Sequence, residues 1–256
     1  MSLADQLRMV WALVRRGINE IARVPGAAIP GVLAPTIFIL GLTSVFGKLT
    51  LLPGFTTDDY LTFILPVGFL QGAGFTGAAT GVNLARDIEY GWFDRLLASP
   101  APRQVLLAGT VLSASFRALM PITLLIIVGL SLGAHFPGID GLLLAILFGV
   151  TFASITASYS VTIALKFKTQ AAAPLMQAGV FMAVLFTTSY APQSLLNGWL
   201  YYVAKYNPVT QIVEGIRQGF VGDVSWADTW PAVLSLAGLL SLVVFLALRG
   251  LNRAAD

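Results

Sequence analysis

Long apolar runs separated by short charged segments set the pattern of this chain. Its opening stretch is different. Over residues 3 to 24, Leu3, Leu7, Val10, Trp11, Val14, Ile18 and Ile21 recur at three- and four-residue spacing, while Arg8, Arg15, Arg16 and Glu20 fill much of the opposite side. An apolar face backed by a basic one predicts a helix lying in a membrane interface, residues 1–26 forming one unit. A helix packed on a soluble partner is the alternative. Pro25-Gly26 is expected to end it.

The apolar runs that follow have the length of membrane spans. The first is expected from Ala27 to Phe46, with Pro30 and Pro35 inside it, and the second from Tyr60 to Gly81. Gly68 and Gly72, then Gly77 and Gly81, form two GxxxG pairs that permit close helix approach. A third span falls between Gly109 and Gly133. It contains Arg117, whose charge requires a place near one end or against protein. The fourth runs from Gly141 to Leu165, the fifth from Ala171 to Tyr190 and the sixth from Trp230 to Leu248. The fold class is therefore all-α and polytopic, with residues 27–256 as a domain of six transmembrane helices.

Two connecting segments carry more than loop residues. In 83–104, Asp87, Glu89, Asp94 and Arg95 alternate with Ile88, Tyr90, Trp92, Phe93, Leu96 and Leu97. A solvated linker would not hold so many aromatic and aliphatic side chains. The pattern predicts one short amphipathic helix from Asp87 to Leu97 that docks on a partner, with Ser99-Pro100 and Ala101-Pro102 ending it. The segment 191–228 reads as two short amphipathic helices broken at Asn207-Pro208. Asn207 is placed to cap the second and Pro208 fits its first turn. Its Trp and Tyr content favours the headgroup level, so it is expected to dip into the outer face of the membrane. Glu214 and Arg217 lie three apart on the second helix and can pair.

Composition agrees with a bilayer as solvent. Hydrophobic residues make up 57% of the chain and charged residues 11%, where a soluble domain has about 25% charged. Mean hydropathy is +0.82. The basic residues sort by side. Arg8, Arg15, Arg16, Arg23, Arg86, Arg95, Arg103, Lys166, Lys168, Arg249 and Arg253 fall on one set of segments, and only Lys48, Lys205 and Arg217 on the other. The positive-inside rule then places both termini in the cytoplasm. The net charge of +3 is dispersed and gives no nucleic-acid footprint.

Catalytic chemistry has no foothold. There is no cysteine, a single histidine (His135), no GxxxxGK[ST] loop, no HExxH and no GxSxG. The proposed span interiors hold no Asp or Glu, which counts against ion coupling. No cofactor is expected on this chain.

The run DIEYGWFDRLLASPAPRQVLLAG resembles the signature of the permease subunits of type-2 ABC exporters, with Glu89, Gly91, Arg95, Leu96, Leu97, Ser99, Pro100 and the trailing Gly109 at the matching places. A second block, YNPVTQIVEGIRQGFVG, is similar to the same family's Asn-Pro and Glu-Gly-x-Arg before the last span, through Asn207, Pro208, Glu214, Gly215 and Arg217. The resemblance covers nearly the whole chain and is nearest in character to daunorubicin-resistance-like drug and lipid exporters. It implies a coupling segment of Asp87, Ile88, Glu89, Gly91, Trp92, Phe93, Arg95, Leu96 and Leu97, and an outer gate of Asn207, Pro208, Glu214 and Arg217. It also implies an assembly in the inner membrane of a bacterium or archaeon: two cytoplasmic ATPases that hold ATP and Mg, a second permease copy or homologue, membrane lipids, and a small amphiphilic cargo. A permease for polysaccharide or lipid-linked glycan, an ion-coupled secondary transporter, and a membrane scaffold or intramembrane enzyme are the competing readings.

Overall fold

The computed structural model describes residues 2–23, 29–99 and 101–254, and regular structure among them is entirely helical. The expected stop at Pro25-Gly26, and Pro100, lie outside the described residues, as do the side chains of Ile21 and Pro30.

The chain starts with α1 (Leu3–Arg23) and continues through α2 (Ile29–Phe46), α3 (Tyr60–Glu89), α4 (Trp92–Leu97) and α5 (Arg103–Ser131). It then forms α6 (Gly138–Phe167), α7 (Ala173–Leu185), α8 (Trp199–Tyr206), α9 (Pro208–Val221) and α10 (Trp226–Ala254). Local chemistry sets several of these boundaries. Ser2 Oγ accepts from the Asp5 amide at 3.2 Å and Asp5 accepts from the Ser2 amide at 3.2 Å, a reciprocal cap on α1. Asp59 caps α3 by accepting from the amides of Leu61 (3.1 Å) and Thr62 (3.0 Å).

Among the described residues five helices are long and apolar enough to cross a membrane: Gly31–Leu51, Tyr60–Glu89, Arg103–Ser131, Gly138–Phe167 and Trp226–Arg253. They are not equivalent. α3 is buried over most of its length and packs against α2, α5, α6, α7 and α9, whereas α2 and α10 leave most of their apolar surface open. The two GxxxG pairs explain how α3 can be central. Gly77 and Gly81 meet α6 so closely that a Cβ at Gly81 would lie 2.6 Å from the Ser160 carbonyl oxygen. Burial divides into two clusters along α3. One surrounds Phe63, Leu70, Ile122, Phe148, Phe152 and Ile216. The other surrounds Leu84, Phe93, Val111, Val161, Met176 and Leu251.

Two sequence expectations require correction. The second span does not stop at Gly81: α3 runs on to Glu89, because nothing between Asn83 and Glu89 breaks a helix. Asp87, Ile88 and Glu89 are therefore its last turn, and the expected single helix from Asp87 to Leu97 is divided at Tyr90-Gly91. Gly91 takes φ 69°, the left-handed conformation that ends helices, and donates to Ile88 O at 3.0 Å. Secondly, the fifth apolar run is helical only to Leu185 as α7. The hydroxyls of Thr187 and Ser189 both donate to Val184 O, at 2.7 and 2.6 Å, and compete with the next helical turn. Arg117 takes the second of its two expected places: it stands mid-way along α5, 7% exposed, facing protein and donating to Thr80 Oγ1.

Candidate functional site

The α4 junction is assembled from four elements. Arg16 on α1 grips the Asp87 carboxylate with both oxygens at 2.8 Å. The same guanidinium lies 3.7 Å above the Trp92 ring centroid at the start of α4. One arginine thus ties the first helix to the end of α3 and to α4. Glu89 holds a different element. Its carboxylate accepts from Thr169 Oγ1 at 2.7 Å, the Gln170 amide at 3.0 Å and Gln170 Nε2 at 2.6 Å. It thereby closes the 3-10 turn Gln170–Ala172 that leads into α7.

α3 rises about 45 Å over its length, beyond a hydrocarbon core of about 30 Å, and Glu89 at its C-terminal end is exposed. There the hydrogen bonds from Thr169 and then Gln170 hold the Glu89 carboxyl below its ordinary range.

The apolar members of this segment point inward. Phe93 is only 5% exposed and belongs to the cluster with Leu84, Val111 and Leu251. Ile88, Leu96 and Leu97 pack against the same cluster. What faces outward is Tyr90, 78% exposed, together with Asp94, Arg95 and Ala98. The sequence pattern assigns the aromatic contact to Trp92 and Phe93, yet the free aromatic is Tyr90. Its place at the C-cap, just before a glycine that reverses the backbone, is the signal that separates it from the helix face.

At the opposite end of α3 a second polar cluster gathers the other predicted residues. Arg217, 3% exposed, donates from Nε to Phe63 O at 3.0 Å and from Nη2 to Thr188 O at 2.9 Å. Its Nη1 meets Glu214 Oε1 at 2.5 Å and Thr188 Oγ1 at 3.3 Å. The guanidinium carbon lies 3.8 Å from the Phe63 ring centroid. Thr188 also donates to Glu214. Asn207 accepts from the Val209 amide at 3.0 Å, capping α9, and donates to Ala183 O and Phe186 O at 2.9 Å each. Pro208 occupies the first turn of α9. So Asn207 ties the end of α7 to α9, and Arg217 ties α9 to α3. Thr188 has no counterpart among the sequence-predicted site residues; its only sequence signal is the Thr187-Thr188-Ser189 trio ending an apolar run.

Neither cluster resembles a catalytic constellation. Among the described residues no group of three or more His, Cys, Asp or Glu side chains is placed to hold a metal ion. Both clusters instead lock helices together at the two ends of the same central helix.

A family model described as ABC-2 type transporter matches residues 8–221. The chain is 26% identical over 244 residues to the daunorubicin resistance ABC transporter permease protein DrrB1 of Streptomyces coeruleorubidus, covering 91% of this chain and 82% of that protein. It is 24% identical over 221 residues to a protein named "Probable doxorubicin resistance ABC transporter permease protein DrrC" of Mycobacterium tuberculosis, covering 84% and 76%.

Proposed function

The chain belongs to the ABC-2 type transporter family, and on that premise we propose that it is the membrane permease subunit of an ATP-driven exporter for an amphiphilic drug-like or lipid-like molecule. It is a transport subunit, and hydrolysis of Mg-ATP belongs to separate cytoplasmic ATPase chains. The drug-resistance names of two relatives support the cargo class. The assembly has two ATPases and two permeases. α2 and α7 form the seam with the second permease, a reading supported by the open Leu33, Ile37, Leu175 and Met182.

The α4 junction faces the cytoplasm of a bacterial or archaeal cell, with both termini on that side, in keeping with the Lys and Arg distribution. On α1, Val14 and Gly17 are turned into the protein, while Leu3, Leu7, Trp11 and Ile18 remain open to lipid beside exposed Arg8 and Arg15. The sixth crossing is residues 170–190. What supports it is that this segment meets Glu89 at one end of α3 and, through the Tyr190 carbonyl accepting from Tyr60 OH at 3.0 Å, the other end as well. α8 and α9 then form a re-entrant pair at the outer face.

The observation that carries the coupling role is the division of labour in α4. Its apolar side is welded to α3, and its outward Asp94 and Arg95, with Tyr90 at the C-cap of α3, are left for a partner. A push on that surface moves α3, α1 and α7 together through Asp87, Glu89 and Phe93. Substituting Tyr90→Ala with Arg95→Glu should leave insertion and melting unchanged. It should weaken ATPase association about thirtyfold, the consequence of losing about 2 kcal/mol at an interface anchor. Phe93→Ala should instead lower the melting temperature, because it opens a cavity in the permease itself. Full ATP-dependent export by the Tyr90/Arg95 variant rules out this surface as the coupling site.

A further inference from the structure

At the end of the bundle opposite α4, the N-terminal turns of α6 and α10 stand side by side and leave a groove of about 350 Å³ between them. That volume lies within the range of small-molecule sites, about 300–1,000 Å³. One wall is a single face of α6: Asp140 at the rim, then Leu143, Leu144 and Leu147 descending from it. The other wall is Ser225, Trp226 and Thr229 at the start of α10. Leu143, Leu147 and Trp226 are 60%, 56% and 74% exposed, so these are open surfaces of helices that cross the bilayer.

The walls are held fixed from behind. Gly141 meets Gly219 of α9 so closely that a Cβ on Gly141 would lie 2.8 Å from the Gly219 Cα. Gln218 of α9 donates to Thr229 Oγ1 at 2.9 Å and accepts from the Ser225 amide at 2.9 Å. The groove is therefore a feature of the packed bundle rather than a gap between loose ends.

Charge selects the occupant. Residues 132–147 and 222–235 contain Asp140, Asp223 and Asp228 and no Lys or Arg. Asp140 is exposed at the mouth and is the one charged residue among the described residues lining the groove. An anionic headgroup would meet the Asp140 carboxylate with no Lys or Arg among those lining residues to balance it. A headgroup ammonium finds a carboxylate and the face of an indole, the two groups that attract organic cations. Trp at this depth also marks the headgroup level. Below the rim the leucine wall descends about 10 Å from Asp140 to Leu147 at the helical rise, which suits the first methylenes of an acyl chain.

We propose that this groove binds a phospholipid with an ammonium headgroup, such as phosphatidylethanolamine, from the leaflet opposite α4. The carboxylate of Asp140 and the ring of Trp226 receive the ammonium, and Leu143 and Leu147 carry the chain. The site is separate from the Arg217 cluster and from α4, so it does not depend on the coupling mechanism.

The test uses the permease purified with its ATPase and offered phosphatidylethanolamine and phosphatidylglycerol at equal mole fraction, with retained lipid counted by native mass spectrometry. Phosphatidylethanolamine should be retained about fivefold over phosphatidylglycerol. Asp140→Asn and Trp226→Leu should each remove most of that preference while melting in phosphatidylglycerol stays at the wild-type value. Leu143→Trp keeps the carboxylate but fills the groove on an exposed face, so it serves even where the other two perturb folding, and it should remove the preference too. Equal retention of the two lipids overturns the proposal, as does an undiminished preference in Leu143→Trp. Soluble phosphoethanolamine should not displace the lipid; displacement at equal concentration would mean that the site reads a free headgroup and not a membrane lipid.

Discussion

Arg217 offers the sharpest energetic test of the cluster at the N-terminal end of α3. Replacing it with Met keeps a long apolar stem but removes the donors to Phe63 O (3.0 Å) and Thr188 O (2.9 Å), the contact with Glu214 and the stack on Phe63. Each buried carbonyl left without its donor costs about 1–3 kcal/mol. The Phe63 carbonyl lies inside α3 and keeps its helical partner, which puts it at the low end. Losing the cation–π contact adds about 1 kcal/mol, and relief of guanidinium desolvation returns part of the total. The net loss should be about 3 kcal/mol, or roughly 6–12 °C in melting temperature for a chain of this size. Arg217→Lys should fall between Met and wild type, because one ammonium cannot reach three separate acceptors in a fixed fork. Glu214→Gln should cost least. Glu214 is 40% exposed, so solvent screens its charge and the pair contributes about 1 kcal/mol or less, while a glutamine oxygen still accepts from Thr188. That variant should impair transport more than assembly. Thermal unfolding in one fixed detergent–lipid mixture, read beside ATP-dependent export in vesicles, orders the three. A Gln variant as unstable as the Met variant would show that the Glu214–Arg217 pairing within α9, and not the hydrogen-bond fork to α3 and Thr188, dominates the cluster. A Met variant melting with wild type would refute the reasoning outright.

Two further outcomes follow from the other end of the molecule. Arg16→Ala should leave ATPase co-purification intact but lower cargo-stimulated hydrolysis severalfold, since the Arg16–Asp87 pair at 2.8 Å orients α4 without lining its outward face; Asp87→Asn should do the same, and the double variant should be no worse than either single one. Because the chain has no cysteine, single cysteines at Ser2, Ser99, Thr169 and Asn252 should react with an impermeant maleimide only from the cytoplasmic side, and those at Thr56 and Ser225 only from outside. Labelling of Thr169 from outside would remove residues 170–190 as a crossing.

What could be read from the sequence, and what could not, follows from the solvent. In water a helix shows its buried face by contrast with a polar one. In lipid both faces are apolar, so the runs at Tyr60, Gly141 and Trp230 announce spans but do not say that α3 is enclosed while α2 and α10 lie open. The legible trace of that difference is glycine. The pairs Gly68/Gly72 and Gly77/Gly81 are both used, the first against α2 and α5 and the second against α6. Local polar grammar was equally readable: Asn207 capping α9 and Glu214 meeting Arg217 three residues on. The junctions at the two ends of α3 are not local. Arg16 reaches Asp87 across 71 residues, Glu89 reaches Thr169 across 80, and Arg217 reaches Phe63 across 154. A single sequence assigns such groups to a solvated face or to a partner by default. That default sends Glu89 outward to a partner, where the fold turns it back to Thr169 and Gln170; Phe93 is buried against the ends of the long helices. The consequence for mechanism is specific. On the proposed coupling role, force received at Tyr90 and Arg95 would not cross a flexible linker, because Asp87, Glu89 and Phe93 tie α4 to α1, α7 and α3. The Arg217 lock is fastened to the far end of that same α3, so the two ends of the bundle are joined by its most deeply packed helix.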